Sequence, residues 1–421
     1  MKPQVTRLKN GITVATVEMP HMASVSLGIW VSVGGRYEPA ELNGVSHFIE
    51  HMLFKGTRRR SAKEISQSVE GIGGYLNAFT GEESTCFYSK GRHDRYDQLL
   101  DVLTDMFLNS KFDPAEITKE RGVIKEELAM YMDQPHQLVQ EVLNETLWPN
   151  HPLGRSLTGT EKTIDAMDRA KLVSYRRENY VAPCTLVTAA GNLSHDKIVR
   201  AVSRLAQKFA AGKRARFQPV EDIQTEPRIR AFSKETAQLQ LALGIRTCSR
   251  HDERRFALRV LNTLLGENMS SRLFQVIRED HGLAYSVHSC LVFFDDVGCQ
   301  IISAGMDTDQ IPRVMKLTMR ELKQFTEKPP SAKEMRRTKD FLLGQIDISL
   351  ESTENQMMWL GDQLIGYGRI IPPSRIKKRL TSVQPEEVRR VAREFLRPER
   401  LSLALVSPLK NSSSLGRLVR L

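Results

Sequence analysis

Apolar positions along this chain switch between a period of two and a helical period near 3.6, and they do so twice in the same order. An alternating stretch at residues 11–17 and another at 24–33 predict strands. A polar turn then leads into a helix around residue 50. Residues 85–89 predict a further strand, followed by an amphipathic helix over about 95–109. Asp113-Pro114-Ala115-Glu116 is a helix start, with Asp as N-cap, Pro at the first helical position and Glu at the third; that helix runs to about Met132.

The second half repeats the plan. A strand at 239–247 leads through Ser249-Arg250-His251-Asp252-Glu253 to an apolar helix at 256–265, and a strand at 298–304 precedes a helix at 311–325. Pro330-Ser331-Ala332-Lys333-Glu334 opens the counterpart of the helix at Pro114, and each half closes on a strand, at 186–190 and 401–406. Strands interspersed with helices, and no βαβ nucleotide fingerprint, predict an α+β fold of two homologous domains. Each would be an antiparallel sheet with helices packed on one face. The polar, basic stretch 211–226 reads as the linker, giving domains at 1–210 and 227–421.

The length, 421 residues, agrees with two domains rather than one core. Composition is that of a globular protein, with 40% hydrophobic and 26% charged residues. No apolar run is long enough to span a bilayer. The chain enters its first strand almost at once, leaving no room for a signal peptide, although a targeting segment cleaved off ahead of it stays open. Five scattered cysteines without CxxC spacing read as buried small side chains in a reducing compartment, so a cytoplasmic location is expected. The net charge of +11 permits nucleic-acid binding. Its basic clusters, Lys55 with Arg58–Arg60 and Lys213 with Arg214 and Arg216, are short and outside any nucleic-acid motif, so a solvated basic face is expected and nucleic acid is not.

Candidate chemistry concentrates at residues 47–51, His47-Phe48-Ile49-Glu50-His51. Positions i and i+4 of a helix lie on one face, so the two imidazoles can converge on one metal ion with Glu50 close by. Two nitrogens leave zinc in need of a third protein ligand. The helix from Pro114 carries Glu116, Glu120, Glu126 and Glu127 beside an inward stripe of Ile117, Val123, Ile124, Leu128 and Tyr131. Glu120 and Glu127, two turns apart, share a face. A carboxylate beside that stripe would complete a His-His-Glu set. The second half has only His251, His281 and His288, without a helical pair beside a Glu, so metal is expected in the first half alone.

His47-Phe48-Ile49-Glu50-His51-Met52-Leu53-Phe54-Lys55-Gly56-Thr57 resembles the inverted zinc motif of the insulysin, pitrilysin and mitochondrial processing peptidase group. Glu120 through Glu127 is similar to the family's stretch carrying the third ligand. The resemblance implies Glu127, 76 residues past His51, as that ligand, and Glu120 as an acidic residue that supports the site. Gly73 through Thr80 looks like the family's edge strand beside the zinc, where Asn77, Ala78 and Phe79 would receive an extended peptide by strand addition. Arg278 through Tyr285 is similar to the segment whose Arg and Tyr hold substrate near the scissile carbonyl.

What the resemblance implies is a zinc endopeptidase with one Zn2+ per chain, and Glu50 as general base. It also implies a homodimer, or a heterodimer with a related subunit, enclosing a chamber for peptides or unfolded segments. The alternative within the same fold is a noncatalytic structural or assembly subunit. Such subunits usually lose part of the motif, and the glycine-rich loop of the noncatalytic processing subunit is replaced here by the short Gly266-Glu267-Asn268-Met269-Ser270-Ser271.

Overall fold

The computed structural model describes residues 2–221 and 224–408; positions 222–223 of the expected linker and 409–421 of the expected second domain lie outside the described residues. Strands β1 (Gln4–Arg7), β2 (Thr13–Glu18), β3 (Ser24–Val31), β4 (Tyr75–Thr80), β5 (Thr85–Arg92) and β6 (Thr185–Gly191) form one sheet in the order β1-β2-β6-β3-β5-β4. Strands β7 (Arg228–Ser233), β8 (Leu239–Thr247), β9 (Ser286–Phe293), β10 (Gly298–Met306) and β11 (Leu401–Ser407) form the other, in the order β7-β11-β8-β10-β9. Each sheet is antiparallel except for one parallel pair, β2 with β6 and β7 with β11. The α+β duplication expected from the hydrophobic pattern is present.

The main helical layer lies against one face of each sheet. In the first, Val25, Leu27, Ile29 and Val31 of β3 share a core with helices Val45–Leu53 and Tyr96–Asn109 through Phe48, Ile49, Met52, Leu99 and Leu103. In the second, Leu239, Leu241, Leu243 and Ile245 of β8 meet Arg255–Asn262 and Ile311–Glu327 through Leu258, Leu261, Met315 and Leu322.

Each sheet also carries a helix on its opposite face, and the other half of the sequence supplies it. The two compact units are therefore discontinuous. One comprises the chain up to Leu128, Arg155–Gln218 and Ile348–Ile370; the other comprises Ala129–Gly154, Pro219–Asp347 and the chain from Ile371. Helix Thr353–Tyr367 lies across the first sheet, where Met357 and Leu360 pack with Ala15, Val17 and Trp30. Thr353 Oγ1 bonds Ser24 and Ser26 at 3.2 and 3.0 Å. Helix Pro135–Leu147 lies across the second sheet, where Leu138, Val139 and Leu147 pack with Ala242, Ala404 and Val406.

Where those helices come closest, β3 and β8 carry glycine, at Gly28 and Gly244. A Cβ on Gly28 would lie 2.6 Å from Met357 Sδ, and one on Gly244 would lie 2.8 Å from Leu147 Cδ1. Tight interior packing leaves no room for either.

Among the described residues no helix is long and apolar enough to cross a membrane. None of the five cysteines forms a disulfide among the described residues. Four are buried as expected; Cys290 is exposed instead, because β9 is an edge strand whose outward positions face solvent.

Candidate metal centre

Helix α1 (Val45–Leu53) presents Val45, Phe48, Ile49, Met52 and Leu53 to the core, which turns His47, Glu50 and His51 to its other side. The start of α1 is unusual. Gly44 precedes it at φ 91°, a left-handed conformation that glycine adopts without strain, and no side chain at that position caps the helix. The buried Glu38 does so from upstream. Its carboxylate accepts the backbone N–H of Gly44 at 2.7 Å and of Ser46 at 2.8 Å, and the Asn43 amide at 3.3 Å. A negative group is favourable at a helix N-terminus, so these bonds fix the position of the whole histidine helix.

Burial pushes the Glu38 carboxyl above its ordinary value of 4.5, outweighing the hydrogen bonds from Ser46, Gly44 and Asn43 that favour its ionised form. The folded chain therefore keeps that proton at pH values where the unfolded chain has lost it. This group's contribution to stability grows as pH falls toward 4.5. Urea titrations of wild type and Glu38→Gln should show their stability difference moving in favour of the wild type as pH is lowered from neutral. A pH-independent difference would contradict this.

Helix Pro114–Asp133 supplies the carboxylates. Glu127 Oε2 lies 3.6 Å from His47 Nε2 and 3.5 Å from His51 Nε2. Ligand atoms of His47, His51 and Glu127 all fall within 4.8 Å of one another, and among the described residues no other His, Cys, Asp or Glu group does this. Glu126, its neighbour, is exposed.

Glu120 is buried one turn from Ile117 and Ile124 on the same helix. Its Oε2 takes His51 Nδ1 at 3.0 Å, and its Oε1 takes Lys55 Nζ at 2.7 Å. A carboxylate on the far nitrogen of a histidine fixes the ring's tautomer and leaves Nε2 as the donor. Two imidazole nitrogens and one carboxylate oxygen suit zinc, and three protein ligands are the number a catalytic site uses.

Electrostatics separate the two histidines. Burial, then the neighbouring His51, lowers the His47 pKa to about 4, so this ring is neutral at physiological pH. Burial acts on His51 in the same sense, but hydrogen bonds to Glu127 and Glu120 outweigh it and raise that ring above its ordinary value. Burial raises the Glu50 carboxyl, against the lowering effect of a hydrogen bond from Thr80. That bond, Thr80 Oγ1 to Glu50 Oε2, is 2.5 Å long.

Strand β4 is the open edge of the first sheet. Its alternation puts Tyr75, Asn77 and Phe79 outward and Leu76, Ala78 and Thr80 toward the helices. Asn77 Oδ1 accepts the Ala78 N–H at 2.9 Å, and the Phe79 ring meets Trp30 edge-on with centroids 5.5 Å apart. Arg278 and Tyr285 belong to the other unit, where the structure brings them together: the Arg278 guanidinium sits 5.6 Å from the Tyr285 ring centre, and Tyr285 is 75% exposed.

Lys55, Glu38 and Thr80 are the residues that sequence spacing did not single out. Thr80 carried one legible sign, its place on the inward phase of an alternating strand.

An HxxEH helix joined by a glutamate from a later helix, on a duplicated α+β fold, is the arrangement of inverted-motif metallopeptidases. Residues 13–161 match the family described as Insulinase (Peptidase family M16), and residues 166–342 match the Peptidase M16 inactive domain. Two bacterial relatives are similar along nearly their whole length. The "uncharacterized zinc protease YmxG" of Bacillus subtilis (strain 168) is 37% identical over 96% of this chain and 98% of its own. The "uncharacterized zinc protease SCO5738" of Streptomyces coelicolor is 36% identical over 97% and 90%. A protease from Helicobacter pylori shares the fold with a TM-score of 0.90 at 20% identity, covering 97% of this chain and 99% of that one. The chain belongs to peptidase family M16, the insulinase family.

Proposed function

We propose that this chain is a zinc-dependent endopeptidase acting on peptides and unfolded segments, with one zinc ion per chain held by His47, His51 and Glu127. The convergence of those donors beside a half-buried carboxylate, Glu50, is the observation that carries the reading. Zinc, when bound, supplies the Lewis acidity that polarises a scissile carbonyl and makes water acidic enough to react near neutral pH. Glu50 takes the proton of the attacking water and returns it to the leaving amine. Glu120 holds the His51 ring in the orientation that keeps Nε2 available.

An extended substrate adds to the open edge of β4, where Asn77, Ala78 and Phe79 lie, so affinity comes from backbone hydrogen bonds and places few demands on sequence. We place the zinc ligands and the base in a catalytic domain at residues 1–210, take 211–226 as the linker, and propose that the homologous domain at 227–421, without metal ligands, also contacts substrate. Cysteines held as thiols rather than disulfides favour a reducing, cytoplasmic compartment.

The test is metal analysis together with hydrolysis of an unstructured peptide library, with and without chelator. Cleavage that depends on bound zinc is expected; cleavage indifferent to chelator would overturn the reading.

For assembly, the reading is a homodimer, with a related subunit as the other possible partner, enclosing a chamber in which Arg278 and Tyr285 of one copy serve the zinc site of the other. The Tyr285 hydroxyl then donates to the developing oxyanion. Mixing Glu50→Gln and Tyr285→Phe chains should regain activity that neither variant has alone. Mixed dimers without regained activity would rule out the shared site.

A further inference from the structure

Glu50 reaches its neighbours through a flexible side chain with three rotatable bonds, and a base must be held close to its productive geometry to be effective. His51 on α1 acts on Glu50 by charge, and the hydrogen bond that fixes an oxygen comes from elsewhere. It comes from the strand across from it, because the alternation of β4 turns the Thr80 side chain toward the helix and its hydroxyl donates to Glu50 Oε2 at 2.5 Å. We propose that Thr80 is a positioning residue for Glu50. It engages one carboxylate oxygen and leaves Oε1 to exchange the proton. This inference rests on the reading of Glu50 as the general base.

The surroundings of Thr80 are built to hold it still. It closes the β4–β5 hairpin opposite Thr85, and the turn that follows is fastened to the segment ahead of α1. Gly35 N–H bonds Gly81 O at 3.1 Å, and Arg36 N–H bonds Glu82 O at 2.8 Å. A Cβ at Gly34 would lie 2.0 Å from Gly81 O, so the approach requires glycine there. The buried Arg36 guanidinium pairs with Glu83 at 2.7 Å and covers the Phe217 ring at 3.9 Å.

The other end of β4 is tied as well, by the Tyr75 hydroxyl to Glu354. Between these two ties the middle of the strand keeps an open edge. The residue that restrains the base therefore sits on the strand that would receive the substrate. Base and scissile bond share one frame of reference.

The experiment compares wild type, Thr80→Val and Thr80→Ser as full-length, zinc-loaded proteins. Thr80→Val keeps the side-chain shape and removes the hydroxyl; Thr80→Ser keeps the hydroxyl. The readouts are kcat and KM on a quenched fluorogenic peptide cut by the wild type, and zinc affinity by chelator competition. For Thr80→Val, kcat is expected to fall by about tenfold to a hundredfold with KM unchanged and zinc affinity not weakened, and Thr80→Ser should restore most of the loss. Equal kcat in wild type and Thr80→Val would overturn the role of Thr80 while leaving the base reading intact. So would a loss of zinc affinity parallel to the loss of rate, since that marks damage to the metal centre. A wild type that cuts no peptide at all overturns the base reading first, and Thr80 with it.

Discussion

Glu50→Gln is expected to lower peptide hydrolysis by about 10²–10⁴-fold while zinc stays bound. The substitution keeps the size of the side chain and keeps an oxygen that can accept the Thr80 hydroxyl. It removes the ability to take up a proton. None of the three proposed donor atoms belongs to Glu50, so metal affinity has no reason to fall. Burial also raises the carboxyl above its ordinary value, the direction that suits the proposed base. Metal content and turnover measured on the same preparation decide the matter. Hydrolysis retained in a zinc-replete Glu50→Gln protein would sink the assignment, and a simultaneous loss of zinc would place Glu50 among the ligands instead.

The parts of this site that are legible in the sequence are those set by spacing along one element. His47 and His51 share a helix face because they are four apart, and Glu120 and Glu127 share one because they are seven apart. The helix start at Asp113-Pro114 puts both carboxylates on a single helix, and that helix does run Pro114–Asp133. The edge position of β4 came from resemblance; local patterning carries no signal for which strand lies outermost.

What stays hidden depends on contacts between distant segments. Ser24, Ser26 and Gly28 on one face of β3 have the composition of a solvated surface, yet Thr353 and Met357 lie on them. Small residues there mark the close approach of a helix more than 300 residues away in sequence. Gly244 beneath Leu147 repeats the arrangement in the second sheet. The exchange of helices could not be read from periodicity, because each helix is amphipathic whichever sheet it covers. Glu38 escaped for a related reason. A cap normally sits next to its helix, and here the capping carboxylate reaches Gly44 and Ser46 from six and eight residues upstream.

Glu127→Ala should reduce zinc affinity far more than Glu120→Gln, and Glu126→Ala should leave it unchanged. The order follows from where each carboxylate is held. Glu127 Oε2 lies within 3.6 Å of both imidazole Nε2 atoms, so on the proposed ligation its loss removes a donor outright and leaves two nitrogens, too few to retain the ion against a chelator. Glu120 acts one step back. It fixes the His51 tautomer through Nδ1 and is itself paired with Lys55, and removing an orienting carboxylate of this kind typically costs about 10- to 100-fold in metal affinity. Glu126 is adjacent in sequence but about 100° round the helix, and it is exposed. Chelator competition on the three variants yields a ranking rather than a single loss, which separates ligation from general damage to the helix. If Glu126→Ala released the metal and Glu127→Ala held it, the ligand would be one residue earlier and the helix face facing His47 and His51 would have to be reassigned.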